Sequence, residues 1–278
     1  MFCGLAGWYE HSDTATVLAS RDGFGDNGRM NKIKRGVTPG PFIESVILDR
    51  SRIYDPEHYA FKLPAMRGFS SLDLHPQVTF LVGENGSGKS TMLEAMAIAN
   101  GLNAEGGSRN MLFATRESHS ELHKALRLRR YHALIPDAWF LRAESLFNVA
   151  TEIENLGVGG NYGARSLHEQ SHGEAFMSLI ESRFGQGLYF LDEPEAALSP
   201  QRQLEFLVLL HQLVGLDSQF VIATHSPIIM SYPQAKIYAF GERGIEPIAY
   251  EETEHYRVTK SFLDAPQRML RHLLDSDD

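Results

Sequence analysis

The sequence predicts an α/β fold with a mainly parallel core sheet, an antiparallel β layer and a small helical subdomain. Three observations predict this fold. First, a glycine-rich loop at 83–91 lies between an apolar run at 78–82 and a stretch of helix-forming residues. Second, the apolar runs 188–191 and 220–224 have the length of strands buried on both faces, and a helical pattern separates them, as in parallel sheets. Third, shorter apolar runs between 42 and 74 indicate strands ahead of the loop, which favours an antiparallel layer leading into the core.

The loop at 83–91 fits the spacing G-x-x-x-x-G-K-[ST] of a phosphate-binding loop. Its glycines allow a tight turn whose backbone N–H groups point toward phosphate oxygens, and the following helix start adds partial positive charge. The Lys89 ammonium is expected to reach the β and γ phosphates, and the Ser90 hydroxyl is expected to ligate Mg²⁺. The alternative is a flexible Gly/Ser loop. The nucleotide-binding residues predicted in the loop are Gly83, Asn85, Gly86, Ser87, Gly88, Lys89, Ser90 and Thr91.

Polar side chains also follow the two buried strands further along the chain. The apolar run 188–191 ends in Asp192 and Glu193, at the carboxyl edge where open α/β sheets bind ligands. Asp192 is expected to face Mg²⁺ through water, and Glu193 to orient or deprotonate the attacking water. His225 follows the run 220–224 and is expected to sense the γ phosphate through a hydrogen bond. The alternatives are two surface acids at a strand end and an ordinary loop histidine.

Ahead of the phosphate-binding loop, strands are predicted at 42–48, 59–63 and 72–74, and these strands form the antiparallel layer. Within the second of them, Tyr59 or Phe61 could stack on an adenine ring. Packing in the core is the favoured interpretation of both aromatic side chains.

The segment from about 101 to 172 is predicted to be the small helical insertion. Ser118, with Glu121 three residues later, has the pattern of a helix N-terminus, so a helix is expected from Ser118 to Tyr131. A short apolar strand is expected at 139–141.

Helical periodicity and turn residues organise the last third of the chain. A helix follows Ser171, and Pro200 begins another that runs to Val214. A closing hairpin is expected at 237–250, and a last helix follows Asp264 as its cap. The residues expected to be buried in the Pro200 helix are Leu204, Leu207, Val208 and Leu210 to Leu213.

Composition limits the other possibilities. Residues 1–36 are rich in Gly, Asp, Asn and Ser and have no hydrophobic period, which predicts a flexible extension or, because Met30 follows closely, residues upstream of the true start. The net charge of −9 argues against a generally basic surface, and the basic stretches 32–35 and 124–130 are interpreted as solvated charge. Cys3 is the only cysteine, so no internal disulfide and no cysteine cluster for a metal can form.

A second motif competes with the phosphate-binding loop. Residues 168–172 match H-E-x-x-H, in which two histidines one helical turn apart bind Zn²⁺ and the glutamate activates water. The motif requires an uninterrupted helix, whereas Gly173 follows at once and the apolar helical face begins only at Ala175. No third ligand stands at a familiar spacing. A zinc protease is therefore disfavoured, and the similarly spaced His119 and His123 are interpreted as a solvated helix face.

Five segments occur in the order and approximate spacing of an ABC-type ATPase, and the sequence resembles that superfamily. These segments are Gly83 to Thr91, Gln170 to Glu174, Leu188 to Glu193, Ala196 to Pro200, and Thr224-His225. The L-S-G-G-Q/E signature of the superfamily stands here with Gln170 in place of leucine and His172 in place of the first glycine. The sequence is also similar to a small bacterial family of AAA/ABC-like ATPases of unknown role, over about residues 42–274. That similarity is carried by 140–145, 166–174, 192–202 and 254–257.

The resemblance implies a P-loop NTPase fold of the ABC ATPase kind over residues 37–278, with ATP and Mg²⁺ as ligands. In ABC ATPases two subunits pair head to tail, and the signature serine of one subunit contacts the γ phosphate held by the other. Carried over, Ser171 and Gly173 complete the site of a partner chain, and residues 196–199 form the crossing D-loop. The usual Q-loop glutamine is not visible after the middle strand, where Glu144 is a weak substitute.

The function that the resemblance implies is Mg²⁺-dependent ATP hydrolysis, coupled to the opening and closing of a head-to-tail homodimer. Glu193 is the expected base, Lys89 and Ser171 are expected to stabilise the transferring phosphoryl charge, and His225 completes the site. The alternatives are an ATP-binding subunit that docks on a membrane permease and a DNA-maintenance ATPase. The composition supports neither partner. The absence of cysteine pairs and of an apolar run of about 18 residues predicts a cytoplasmic location.

Overall fold

A computed structural model describes residues 42–108, 120–131, 135–146, 149, 151 and 170–274. All of them belong to one compact unit, Pro39–Asp278. The predicted extension at 1–36 lies outside the described residues. None of the described helices has the length and apolar character needed to cross a membrane.

The secondary structure alternates strands with helices along most of the described chain. The strands are β1 (Ile43–Leu48), β2 (Ser71–Asp73), β3 (Val78–Gly83), β4 (Gly107–Ser108), β5 (Leu126–Arg130), β6 (Ala138–Arg142), β7 (Leu188–Asp192), β8 (Gln219–Ala223), β9 (Lys236–Gly241) and β10 (Gly244–Pro247). The helices are α1 (Tyr59–Lys62), α2 (Lys89–Ala99), α3 (Leu122–Ala125), α4 (His172–Arg183), α5 (Pro200–Val214), α6 (Glu254–Asp264) and α7 (Pro266–Leu274).

The larger sheet has the strand order β10-β9-β3-β8-β7-β6-β4. Its five inner strands, from β9 to β6, are parallel, whereas β10 and β4 pair with it in the antiparallel sense at the two edges. The carboxyl ends of β3, β7 and β8 therefore meet at one edge of the sheet. The predicted mainly parallel core sheet is confirmed.

The smaller sheet has the order β2-β1-β5 and is antiparallel throughout, which confirms the predicted antiparallel layer. Side chains of the larger sheet bind the backbone of the smaller one, and the Gln219 amide makes the most deeply buried of these contacts. The Gln219 amide accepts a hydrogen bond from the Ile43 backbone N–H (2.9 Å) and donates to the Ile43 carbonyl (2.8 Å). The same amide nitrogen donates to the His75 carbonyl at 3.0 Å. Gln219 thus supplies the backbone of β1 with the hydrogen bonds that a neighbouring strand would give.

The parallel strands are buried on both faces, because alternate side chains enter two hydrophobic cores. In β7, Tyr189 and Leu191 pack with α4 and α5, whereas Leu188 and Phe190 pack with α2 and the smaller sheet. This arrangement explains why the strand reads as a continuous apolar run rather than as an alternating one.

The strand predicted at 59–63 is wrong, because these residues form α1 and the turn that follows it. The His58 ring accepts a hydrogen bond from the Ala60 N–H at 3.3 Å and so caps the helix start. Pro64 then begins a 3₁₀ turn. Local capping and the proline thus outweigh the strand preference of two aromatic residues.

The helix predicted from Ser118 to Tyr131 is also wrong. Ser118 lies outside the described residues, and α3 ends after one turn at Ala125, where β5 begins. The sequence of β5 alternates leucine and arginine, so that its leucines face the core while Arg127 and Arg129 face outward. Pairing of β5 with β1 stabilises the extended conformation, since tertiary contacts override weak helix propensity.

The described part of the predicted helical insertion, 101–172, includes three strands. They are β4, β5 and β6. The last of these confirms the strand expected at 139–141. Residues 152–169 lie outside the described part of the chain, so a helical subdomain there stays a prediction.

Helix α5 has the predicted start and end, but part of its predicted core face is wrong. Ser199 caps it, with Pro200 as its first residue. Leu204 and Val208 are 51% and 46% exposed. The apolar run is nearly continuous, and a helix can turn only one side of such a run toward the sheet. The buried residues are Gln203, Phe206, Leu210, Leu213 and Val214.

The C-terminal part has the predicted hairpin and last helix, but the prediction that Asp264 caps this helix is wrong. The hairpin forms from β9 and β10, and the last helix, α7, begins at Pro266. An additional helix, α6, precedes it and ends at Asp264, whose carboxylate pairs with Lys260 at 2.8 Å. Helix α6 matters for the site because its first turn lies beside the carboxyl end of β8.

Candidate functional site

The glycine-rich loop leaves the carboxyl end of β3 and enters α2. Gly83 and Gly88 both have positive φ angles, 142° and 102°, which disfavour any other residue. A Cβ atom on Gly83 would lie 2.3 Å from the Phe240 carbonyl oxygen, and one on Gly88 would lie 2.9 Å from the Leu63 side chain. The motif glycines are therefore required by the path of the backbone itself.

Lys89 is the first residue of α2 and lies across this loop. Its Nζ donates hydrogen bonds to the carbonyl oxygens of Gly83 and Glu84, both at 2.8 Å. The side chain is only 3% exposed, and burial lowers the pKa of its ammonium although Glu193 and Asp192 oppose that shift. A buried ammonium held at a helix N-terminus is a strong site for an anion.

Ser90 and Asp192 come together from α2 and the end of β7. The Ser90 hydroxyl donates to Asp192 Oδ1 at 2.9 Å. Burial raises the pKa of Asp192, while Arg142 and the Ser90 hydroxyl lower it. A hydroxyl and a carboxylate are hard oxygen donors that suit Mg²⁺. Among the described residues no group of three His, Cys, Asp or Glu side chains could hold a metal, so phosphate and water would complete the shell.

Arg142 is a site residue that the sequence reasoning missed. Adjacent pairing of β6 and β7 sets it opposite Asp192. Its Nε donates to Asp192 Oδ2 at 3.1 Å, and its Nη2 donates to Glu94 Oε2 at 2.9 Å. Glu144, the expected Q-loop substitute, lines a cavity together with Arg142 and Asp192, but Arg142 makes the contact with Asp192. The one signal in the sequence that could have indicated Arg142 is its position at the end of an apolar strand.

This ion-pair triad predicts a measurable loss of stability when Arg142 is replaced. The change Arg142→Met leaves the carboxylates of Glu94 and Asp192 without their cation, and both are largely buried. The free energy of unfolding should fall by about 3 kcal/mol, as when one partner of a buried pair is removed. The matched change Arg129→Met breaks only the exposed pair with Glu44 and should cost less than about 1 kcal/mol. Denaturant titration checks both values, and equal losses would contradict the prediction.

A cavity of about 320 Å³ adjoins these groups and is lined by Ser90, Thr91, Asp192, Glu193 and Tyr59 among others. Tyr59 is 54% exposed, so the favoured interpretation of core packing is wrong for its ring. Phe61, in contrast, packs against the core. The exposed Tyr59 ring is available to a ligand in the cavity.

Glu193 follows Asp192 in the left-handed conformation, with φ 49° and ψ 53°. Such a backbone is uncommon outside glycine and is frequent at functional sites. The Glu193 N–H donates to the Ala223 carbonyl at 2.9 Å. Its carboxylate is 39% exposed and lies 3.5 Å from Nε2 of His225, the residue predicted to complete the site. The structure therefore brings the predicted base and histidine together.

His225 is surrounded by two further residues that sequence reasoning did not assign. Its backbone N–H donates to the Glu195 carboxylate, which also accepts from the Thr224 hydroxyl at 2.8 Å. Its Nδ1 lies 2.8 Å from Nε2 of His255 in α6. Burial, Lys89 and His255 lower the pKa of His225 to about 4. The imidazole is therefore neutral at pH 7.

Ser171 and Gly173 lie at the start of α4. Ser171 is exposed and shares a capping box with Glu174, in which the Ser171 N–H donates to the carboxylate at 3.0 Å. A Cβ atom on Gly173 would lie 2.8 Å from the Ala197 carbonyl oxygen. The signature segment thus packs directly on the turn expected to be the D-loop.

The zinc-protease motif does not form the helix that it requires. Helix α4 begins at His172, and residues 170 and 171 are not helical. His168 and His119 lie outside the described residues. Within the described part, no metal-binding cluster includes His172.

Family models of AAA domains match segments that contain the two halves of the site. A family model described as "AAA domain" matches residues 61–127, which contain the phosphate-binding loop. A second, described as "AAA domain, putative AbiEii toxin, Type IV TA system", matches residues 170–231, which contain Ser171, Glu193 and His225. A search of curated proteins found no match.

Similar solved structures include an SMC head domain and a component of an ABC transporter complex. The SMC head domain from Thermotoga maritima has 16% identity and a TM-score of 0.38, over 65% of this chain and 93% of that one. CbiO1 from Clostridium perfringens, part of the ABC transporter complex cbiONQ, has 18% identity and a TM-score of 0.41, over 74% of this chain and 90% of that one.

The geometry and the family matches together define the class of protein. A glycine-rich loop enters a helix at the carboxyl edge of a parallel sheet, and its serine bonds the carboxylate that ends a nearby strand. This is the arrangement of a P-loop nucleoside triphosphatase. Both AAA matches fall on the site segments, which supports assignment of the chain to the P-loop ATPase superfamily.

Proposed function

We propose that the protein binds ATP with Mg²⁺ and hydrolyses it, and that hydrolysis is coupled to the opening and closing of a head-to-tail homodimer. The observation that carries the proposal is the convergence of Lys89, the Ser90–Asp192 pair and Glu193 on one edge of the sheet. A buried ammonium, a hard-oxygen pair and a partly exposed carboxylate are the groups that phosphoryl transfer to water requires.

The nucleotide-binding role belongs to the loop residues named from the sequence, Gly83, Asn85, Gly86, Ser87, Gly88, Lys89, Ser90 and Thr91. The Lys89 ammonium, now bonded to two loop carbonyls, would turn its donors to the β and γ phosphates. The exposed Tyr59 ring is the candidate for contact with the base, since aromatic faces stack on nucleobases.

The catalytic roles belong to Glu193 and its neighbours. The Glu193 carboxylate would orient the attacking water and accept its proton, and its strained backbone holds it at the edge of the cavity. The neutral His225 would donate a hydrogen bond toward the γ phosphate. Ser90 and Asp192 would hold Mg²⁺, which when bound neutralises charge on the phosphates.

Ser171 supports the dimeric part of the proposal. It is exposed at the N-terminus of a twelve-residue helix, where it forms hydrogen bonds with Glu174 of the same helix. A helix start of this kind favours an anion brought by another molecule. Ser171 and Gly173 would therefore complete the phosphate site of the partner subunit, as the resemblance to ABC ATPases implies.

The dimer can be tested with a trapped variant. In Glu193→Gln protein, ATP and Mg²⁺ are expected to double the molar mass measured by light scattering. Adding Ser171→Arg should abolish this change, because the bulky cation would occupy the partner's phosphate site. The loss of the helix cap costs only about 1 kcal/mol and should not unfold the chain.

Ser182→Arg is the control for this test, since Ser182 is exposed near the other end of the same helix. The control should leave the ATP-dependent dimer intact. A mass that stays monomeric in Glu193→Gln protein with ATP, or a dimer that survives Ser171→Arg, would contradict the head-to-tail arrangement.

Of the two alternatives, a transporter subunit and a DNA-maintenance ATPase, the second rests on a nucleic-acid partner that the described surface does not favour. The basic strand β5 was the main described candidate for a nucleic-acid contact. Arg127 pairs with Asp49 at 2.7 Å, and Arg129 pairs with Glu44 at 3.0 Å. Acidic partners reduce the attraction of this strand for phosphate.

A further inference from the structure

Helix α6 brings a second histidine against His225. Nε2 of His255 lies 2.8 Å from Nδ1 of His225, and the rings meet edge to face with their centroids 4.8 Å apart. The other ring nitrogen of His225, Nε2, lies 3.5 Å from Oε1 of Glu193. The pair therefore forms a continuous link from α6 to the carboxylate proposed as the base.

The position of His255 is fixed by contacts of the residues around it. Thr253 is 1% exposed, and its hydroxyl donates to the Tyr250 carbonyl at 2.7 Å. The Tyr250 hydroxyl in turn donates to the carbonyl of Pro227, two residues after His225. The start of α6 is thus anchored to the same segment that carries His225, so the two rings are held together.

Burial and the Lys89 ammonium favour two neutral rings. The charged groups that face it are Lys89, Glu84, Glu193, Glu195 and Glu254. Burial and Lys89 lower the pKa of both histidines, although Glu254 and Glu84 oppose the shift at His255. With both rings neutral, one proton lies in the hydrogen bond between them. The ring that carries this proton determines whether Nε2 of His225 faces Glu193 as a hydrogen-bond donor or as a lone pair.

Only one of the two arrangements suits the groups nearby. If His225 donated through Nδ1, its Nε2 lone pair would face the Glu193 carboxylate and, in the proposed reaction, phosphate oxygens. If His255 donates, Nε2 of His225 carries the hydrogen and turns a donor toward these anions. Nε2 is buried and has no hydrogen-bond partner within the described part of the chain. A donor waiting for an anionic ligand accounts for this unpaired atom.

We propose that His255 is a positioning residue whose Nε2–H donates to Nδ1 of His225 and thereby fixes His225 as the Nε2–H tautomer. The catalytic part of this inference rests on the proposed function, because the γ phosphate is the anion that His225 would meet. His255 acts through His225 and does not itself touch the substrate. Outer partners that fix the tautomer of a metal-ligating histidine matter nearly as much as the ligand itself, and His255 would act on His225 in the same physical way.

Nitrogen NMR of the nucleotide-free protein tests the tautomer directly. In protein labelled with ¹⁵N-histidine, the His225 ring, assigned by its loss in His225→Gln, should be the Nε2–H form. His255→Gln places an amide donor at nearly the same position and should keep this form. His255→Met has similar length but no donor, and it should give the Nδ1–H form or a mixture. A wild-type ring in the Nδ1–H form, or a tautomer unchanged in His255→Met, overturns the proposal.

Kinetics supply the second readout. His255→Met should lower kcat for ATP hydrolysis by about 10- to 100-fold with KM little changed, and His255→Gln should restore most of the rate. Met and Gln variants with equal rates would overturn the positioning role. His272→Gln, on the exposed face of α7, is the control and should match wild type. A wild-type protein that does not hydrolyse ATP would refute the proposed function, whereas the NMR result would still decide the tautomer.

Discussion

Glu193→Gln is expected to lower kcat for ATP hydrolysis by about 10³-fold, because removal of a general base commonly costs 10²- to 10⁴-fold. Glutamine keeps the size of the side chain but cannot accept the proton of the attacking water. ATP affinity should not fall, since the substitution removes a negative charge beside the site of the phosphates. The variant should therefore bind nucleotide and fail to turn it over.

Phosphate release under saturating ATP and Mg²⁺ measures the first effect, and equilibrium binding of a labelled nucleotide measures the second. Glu205→Gln is the matched control, because Glu205 is an exposed acid on α5 away from the cavity. It should retain the wild-type rate. A Glu193→Gln rate close to wild type would remove Glu193 from the role of base.

Lys89→Met is expected to abolish ATP binding at the ATP concentrations that the wild-type protein binds. Each charge-assisted hydrogen bond contributes about 1.5–3 kcal/mol, so losing two should weaken ATP binding by about 100-fold or more. The nucleotide-free protein should nevertheless stay folded. Methionine loses the bonds to Gly83 and Glu84 but also removes a buried charge that is costly to desolvate.

Thermal unfolding with and without nucleotide separates these two effects. Wild-type protein should gain stability with ATP and Mg²⁺, and the gain should increase with the ratio of the ligand concentration to Kd. Lys89→Met should show no gain while its Tm without nucleotide stays close to wild type. Lys260→Met, which breaks only an exposed pair on α6, should keep the full gain. A nucleotide-dependent gain in Lys89→Met equal to wild type would contradict the assignment of the loop.

The parts of the fold that sequence reasoning predicted correctly are those with strong local signals. The strand before the loop, β7 and β8 are apolar runs of strand length, and α4 and α5 have polar caps before periodic apolar residues. In each case the local pattern of apolar residues, with the polar cap in the helices, favours the same structure as the tertiary packing.

Two of the wrong predictions concern segments whose structure is determined by distant partners. The segment 126–130 contains residues that tolerate a helix, and only its pairing with β1, some 80 residues earlier, holds it extended. The exposed side of α5 was misjudged because a nearly continuous apolar run hides which face meets the sheet. Neither outcome is encoded within a short window of sequence.

The site residues also divide into those with a local sequence signal and those that depend on distant contacts. The motif spacing predicted the loop, Asp192 and Glu193, and the structure brings Ser90 to Asp192 and His225 to Glu193. Arg142, Glu195 and His255 were missed because each reaches the site from a different strand, turn or helix. A single arginine or histidine has no spacing to recognise, and its contact exists only once the chain has folded.

The amide of Gln219 has a consequence for how the protein loses its structure. Both hydrogen-bonding groups of Ile43 depend on this one buried side chain, and Gln219 also opens the strand that ends just before Thr224 and His225. If the small sheet separated from the large one, the Ile43 backbone groups and the Gln219 amide would be left buried without hydrogen-bond partners. The two β layers are therefore expected to melt together as one cooperative unit, and the catalytic edge would melt with them.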